Sequence, residues 1–114
     1  MKWLGLIASL AVLLWVQSSF AHGEGRVVID VRSAEEYAAG HVAQAVNIPH
    51  DEIAEGVIDI NAEKSTEIIL YCRSGRRAEL AKEVLHELGY THVVNAQDAV
   101  GAEAMIAEHD HNAE

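Results

Sequence analysis

The stretch 67-EIILYCRSGRRAEL-80 decides the fold, because a strand, a short loop and the start of a helix follow one another in it directly. Glu67 to Tyr71 is a short run that is apolar on both faces, which is typical of a buried strand in a parallel sheet. From Arg76 to Leu88 apolar residues recur at helical spacing, and Gly89 follows as a residue that ends helices. Cys72 is therefore predicted just past the carboxyl end of a central strand.

The rest of the chain continues the alternation of strand and helix. Ser33 and Glu36 form a capping box that predicts a helix closing at Gly40. Tyr37 and Leu88 are predicted to be core residues. The other predicted elements are strands at Arg26–Val31, Ala45–Pro49 and His92–Asn95, helical turns that bury Ile53 and Val57, and a helix from Ala99 to Ala107 before a frayed polar tail.

This order of elements predicts an α/β domain with a small parallel sheet and helices on both faces. Ligands of such sheets bind beyond the carboxyl ends of the strands, where Cys72 is expected. The length of the chain allows one small domain.

The first 21 residues resemble a secretory signal peptide. Lys2 precedes an apolar run from Trp3 to Val16, and Ser19-Phe20-Ala21 has the small-x-small pattern of a cleavage site. We expect cleavage after Ala21, a single domain over residues 22–114, and a periplasmic location. The alternative is an uncleaved membrane anchor, although a spanning helix needs about 18 or more apolar residues.

The formal net charge of −10 argues against binding to nucleic acid or to an anionic membrane surface through the overall field of the protein. No membrane contact is expected once the leader has been removed.

Cys72 is the only cysteine, and three of the eight basic residues lie within five positions of it. A thiol at a helix N-terminus is stabilised as thiolate by unsatisfied N–H groups. Without such help only about 3% would be ionised at pH 7. The alternative is a small core cysteine beside a solvated helix start, but basic residues there oppose the helix dipole, which favours a function for them.

Three ordered motifs give the chain a resemblance to the rhodanese family of sulfurtransferases. CRSGRR (72–77) resembles the family's active-site loop C-R-x-G-x-R, VIDVRSAEEY (28–37) its D-V-R-x-x-x-E-Y element, and GHVAQAVNIP (40–49) its G-H-I-x-G-A-x-N-I-P element. The similarity runs from about Val27 to Asn95. Two departures are Gln44 in place of a glycine and Ala96-Gln97-Asp98 in place of a Gly-Gly pair, and they affect the expected rim of the pocket.

The resemblance implies a rhodanese-like fold and thiosulfate sulfurtransferase activity through a persulfide on Cys72, with cyanide or a thiol as acceptor. The residues expected to bind the anionic donor are Arg73, Ser74, Gly75, Arg76 and Arg77. Asp30 and Arg32 are expected to support the loop by hydrogen bonds, and the reaction needs no metal or organic cofactor.

Two other functions remain possible at this point. One is a non-catalytic persulfide carrier or binding module that receives sulfur from a protein partner. The other is a phosphatase or arsenate reductase, which the C-x4-R spacing from Cys72 to Arg77 disfavours because related phosphate-binding loops are one residue longer. A metal site at His109, Asp110 and His111 would be incomplete.

Overall fold

The computed structural model describes residues 25–112, and the expected leader lies outside this range. The strands are β1 (Arg26–Asp30), β2 (Val46–Asn47), β3 (Glu67–Tyr71) and β4 (Val93–Asn95). The helices are α1 (Ala34–Ala38), α2 (Ile53–Asp59), α3 (Arg76–Glu87) and α4 (Ala99–Asn112), with a 3-10 turn at His50–Glu52 before α2.

The four strands form one parallel sheet in the order β2-β1-β3-β4. β1 and β3 pair along their whole length, from Arg26 beside Glu67 to Asp30 beside Tyr71. Both central strands are therefore covered at their edges as well as on their faces, which explains their apolar composition. The carboxyl end of β3 leads directly to Cys72.

Buried side chains form two clusters, one on each face of the sheet, which confirms the prediction of helices on both faces. The first cluster joins the sheet to α2 and α3 through Ile53, Val57, Ala78, Ala81 and Leu85. The second cluster includes Ala102 and Ile106 of α4, and Tyr37 of α1 packs against it. Ile53 and Val57 are buried as expected.

Two sequence predictions were wrong in detail. Leu88 is 40% exposed and is not a core residue, because α3 ends at Glu87 and the chain turns away at Gly89, where φ is +100°. The last helix does not stop at Ala107 but continues to Asn112, and Arg26 donates to Asp110 at 2.9 Å near its end. The segment expected to fray is helical as far as Asn112.

Between residues 25 and 112, no helix has the length and apolar content needed to cross a membrane.

Candidate active site

Cys72 lies at the start of the loop between β3 and α3 and is only 3% exposed. Gly75 donates its N–H to Sγ at 3.0 Å. Gly75 is the N-cap of α3 in a left-handed conformation, with φ of +97°, and it has no side chain to cap the helix. The sulfur of Cys72 occupies the place that an N-cap oxygen would take.

The loop lowers the pKa of the Cys72 thiol. Burial by itself raises that pKa, but the backbone N–H groups of Ala78, Gly75, Ser74 and Arg77 around the sulfur lower it and outweigh the effect of burial. These donors favour the charged form. The main chain of the loop therefore favours the thiolate, which is the nucleophilic form of a cysteine, and the chain contains no other cysteine.

The three arginines of the loop have different surroundings. Arg77 donates to Glu36 through two nitrogens, at 2.8 and 3.2 Å. Arg73 is 75% exposed, and its nearest nitrogen lies 3.8 Å from Glu36. Arg76 is exposed. The guanidinium groups of Arg73 and Arg76 are accessible at the surface, whereas that of Arg77 is held by a carboxylate.

The sequence predicts Glu36 only as a helix cap, but its carboxylate also pairs with Arg77 of the loop. Its carboxylate accepts from the Ser33 N–H at 3.0 Å, which completes the predicted capping box of α1. The hydrogen bond with Arg77, followed by that with the Ser33 N–H, lowers the pKa of Glu36 to about 2. The signal that could have found this role is the pairing of a glutamate in one motif with an arginine in another.

Asp30 and Arg32 are hydrogen-bonded to each other at the end of β1. The fully buried Asp30 carboxylate accepts from Arg32 Nη2 at 2.6 Å and from the Tyr71 hydroxyl at 2.9 Å. Tyr71 also accepts from the Val42 N–H at 3.0 Å, and burial raises its pKa to about 12. This network fixes the ends of β1 and β3 immediately before Cys72.

The last residue of β4 and the segment after it contact the Cys72 loop at two points. Cys72 donates its N–H to the Gln97 carbonyl at 3.0 Å, and Asn95 donates to the Gly75 carbonyl at 3.0 Å. Of the two departures noted in the sequence, Gln44 lies in a turn and is not among the residues with positive φ, whereas Gln97 has φ of +77°.

Within the described part of the chain, no three His, Cys, Asp or Glu residues are grouped as metal ligands would be.

Comparison with known proteins identifies a family and several relatives that this chain resembles. The sequence model of the rhodanese-like domain matches residues 14–99. Thiosulfate sulfurtransferase PspE of Escherichia coli is 46% identical over 68 residues, which are 60% of this chain and 65% of that protein. The putative sulfur carrier protein YrkF of Bacillus subtilis is 35% identical over 68 residues, 60% of this chain and 36% of YrkF.

A solved structure described as a rhodanese with anions from E. coli superposes with a TM-score of 0.63 at 41% identity. The superposition covers 67% of this chain and 89% of that one. The chain spans less than two thirds of the length of both sequence relatives.

Proposed function

The chain belongs to the family of rhodanese-like domains, and from this premise we propose that it is a thiosulfate sulfurtransferase that works through a persulfide on Cys72. The observation that carries the proposal is the Cys72 sulfur, which accepts the Gly75 N–H of its own loop, and this loop also carries the exposed Arg73 and Arg76. The name of the E. coli relative, thiosulfate sulfurtransferase, supports the same reaction.

In the first step the Cys72 thiolate attacks the outer sulfur of thiosulfate. The sulfur–sulfur bond of thiosulfate breaks, sulfite leaves with the bonding electron pair, and Cys72 carries a persulfide. No general base is needed, because the nucleophile is already deprotonated. The exposed arginines Arg73 and Arg76 bind the sulfonate end of the donor and stabilise the charge on the leaving sulfite.

In the second step cyanide or a thiolate attacks the terminal sulfur of the persulfide. Thiocyanate or a new persulfide leaves, and the Cys72 thiolate is regenerated. The main-chain donors of Ser74, Gly75 and the start of α3 hold the anionic sulfur in both states. Arg77 adds positive charge to the loop while it remains paired with Glu36. The chemistry requires neither a metal nor an organic cofactor.

Asp30 and Arg32 act as structural support in this proposal. Their hydrogen bonds with Tyr71 hold the end of β3, so the residue that follows it has a fixed position. Loss of a partner from such a buried network costs more than an ordinary hydrogen bond, because the remaining polar group stays buried without a partner.

A second candidate is a persulfide carrier that accepts sulfur from a protein and turns over little thiosulfate. The similarity to a putative sulfur carrier protein favours it, since a loop that stabilises a thiolate also stabilises a persulfide.

A thiosulfate-to-cyanide assay tests the proposal, with Cys72→Ser as the matched control. We expect thiocyanate from the wild-type chain and a loss of at least about 1,000-fold in Cys72→Ser, because an unactivated hydroxyl is a poor nucleophile. Equal rates of thiocyanate formation by the two proteins would contradict the proposed sulfurtransferase activity. Persulfidated Cys72 without thiocyanate would favour the carrier, and phosphate release from an aryl phosphate would favour a phosphatase.

We further propose that the mature protein is a single domain beginning at residue 22 in the periplasm. The support is the order of charge, apolar run and small residues in positions 1–21. The mass of the secreted protein tests this, since a chain that still begins at Met1 would contradict it.

A further inference from the structure

Gln97 has a left-handed backbone although it is not a glycine, with φ of +77°. Residues with side chains seldom adopt this conformation, and those that do concentrate at functional sites where the surroundings hold them. In residues 25–112 the other non-glycine residue with positive φ is Asn61, a residue type that tolerates it. The conformation of Gln97 therefore needs a local cause.

That cause is the Cys72 loop. The Gln97 carbonyl accepts the Cys72 N–H at 3.0 Å, while the Gln97 N–H donates to Asn95 Oδ1 at 2.9 Å. Asn95 Nδ2 in turn donates to the Gly75 carbonyl at 3.0 Å. Gln97 and Asn95 together hold the first and the fourth residue of the loop, which are also the sulfur-bearing residue and a donor to the sulfur.

The side chain of Gln97 packs against the bare face of Gly75. A Cβ placed on Gly75 would lie 3.3 Å from Gln97 Cγ and 3.5 Å from Gln97 Cα. Gly75 is therefore close to both the main chain and the side chain of Gln97. Rotation of Gln97 to negative φ would move its carbonyl off Cys72 and open this contact.

We propose that Gln97 is a positioning residue for sulfur transfer: its left-handed main chain holds Cys72 so that the N–H groups of the loop converge on Sγ. Gln97 acts through the loop and has no contact with the reacting sulfur in this scheme. The inference rests on the proposed function for its meaning in catalysis, but its geometric content can be tested without any sulfur donor.

The test compares the pH dependence of iodoacetamide alkylation in the wild type and in Gln97→Val. A β-branched residue disfavours positive φ strongly, so the carbonyl should leave Cys72. We expect the alkylation midpoint to rise by about one pH unit, which is about tenfold less thiolate below the midpoint. The pH at which kcat/KM for thiosulfate reaches half of its plateau on the acid side should rise by the same amount.

Two further variants separate positioning from general loss of stability. Gln97→Gly adopts the left-handed conformation without strain and should restore the wild-type midpoint. Asn61→Val introduces the same kind of strain at an exposed turn and should leave the midpoint unchanged. The charged groups around the loop are the same in all of these variants: Arg73, Arg76, Arg77, Glu36 and Glu79.

An unchanged midpoint in folded Gln97→Val would overturn the proposal, as would an equal shift in Asn61→Val. If Gln97→Val does not fold, Asn95→Leu releases the Gly75 carbonyl and the Gln97 N–H instead, and an unchanged midpoint in that variant would overturn it. If the wild-type chain produces no thiocyanate but the alkylation midpoint shifts in Gln97→Val, the proposed enzyme activity is wrong. The positioning of Cys72 by Gln97 would still hold.

Discussion

The sulfur of Cys72 caps the N-terminus of α3 in place of an N-cap side chain. Ser, Thr, Asp and Asn are preferred at the N-cap because their oxygen accepts N–H groups of the first turn, but the N-cap of α3 is Gly75. A thiolate accepts such bonds far better than a thiol, so the folded state favours the deprotonated form.

Alkylation of Cys72 should therefore have its midpoint below the ordinary thiol pKa of about 8.5. Since the folded pKa is lowered, the thiolate contributes stability that is fully present above the unfolded pKa and is lost as pH falls through the folded pKa. The chain has one thiol, so a mass shift after iodoacetamide reports this group alone. The unfolded chain in urea is the control, and equal midpoints in the two states would contradict the expectation.

Glu36 neutralises part of the positive charge of Arg73 and Arg77 in the Cys72 loop. Its pKa of about 2 keeps it ionised throughout any neutral assay. In Glu36→Gln one negative charge beside Arg73 and Arg77 disappears, and we expect the KM for thiosulfate to fall about two- to fivefold, because about 0.5–1 kcal/mol of repulsion is lost at this partly exposed position. Steady-state kinetics at saturating cyanide measure it.

Glu35→Gln is the matched control for this change, since Glu35 lies in the same first turn but is exposed. Its KM should match that of the wild type. A KM for Glu36→Gln that stays the same or rises would mean that the pair with Arg77 is needed to shape the pocket.

At the level of elements, the start of α4 sets the path of the segment that contacts the Cys72 loop. Asp98 accepts the Gly101 N–H at 2.8 Å, and a Cβ on Gly101 would collide with the Ala96 carbonyl oxygen. The close approach of helix and segment therefore requires a glycine at position 101.

Gly101→Ala should lower the free energy of unfolding by about 1–3 kcal/mol, because steric overlap with main-chain atoms outweighs the gain of about 1 kcal/mol in helix propensity. Urea unfolding measures the change. Val100→Ala on the same turn is the control, since Val100 is 74% exposed and should change stability by less than about 0.5 kcal/mol. A Gly101→Ala protein as stable as the wild type would show that the segment moves freely.

Local chemistry predicted the elements wherever a residue's own neighbours decide its conformation. The bounds of β3 and the capping box of Ser33 and Glu36 agree with the sequence prediction, since an apolar run and a cap are short-range signals. The pairing of Glu36 with Arg77 joins residues 41 positions apart, and the left-handed Gln97 depends on a loop from another strand. Neither feature follows from a short-range pattern in the sequence.

At the scale of the whole molecule, the net charge of −10 opposes the approach of an anionic donor to the loop. The distance over which this field acts is about 30 Å at 0.01 M salt and about 10 Å at 0.1 M. At the higher salt only nearby charges act on the donor, and these include the exposed Arg73 and Arg76.

We therefore expect kcat/KM for thiosulfate to rise about two- to tenfold when NaCl is raised from about 0.01 to 0.1 M. The rates are measured at donor concentrations well below that of the salt. An uncharged thiol acceptor at saturating thiosulfate should show little change. A fall in kcat/KM over the same range would mean that the arginines dominate at all distances.

The pairing of β1 with β3 also determines when reactivity arises during folding. The two strands meet through residues 41 positions apart, as in the hydrogen bond between Tyr71 and Asp30, and the loop that activates Cys72 begins where β3 ends. Contacts of such separation form late, after the entropy of closing the long intervening loop has been overcome. We therefore expect a chain that has not yet folded to carry an ordinary, weakly reactive thiol, which becomes a nucleophile only when the central strands have joined.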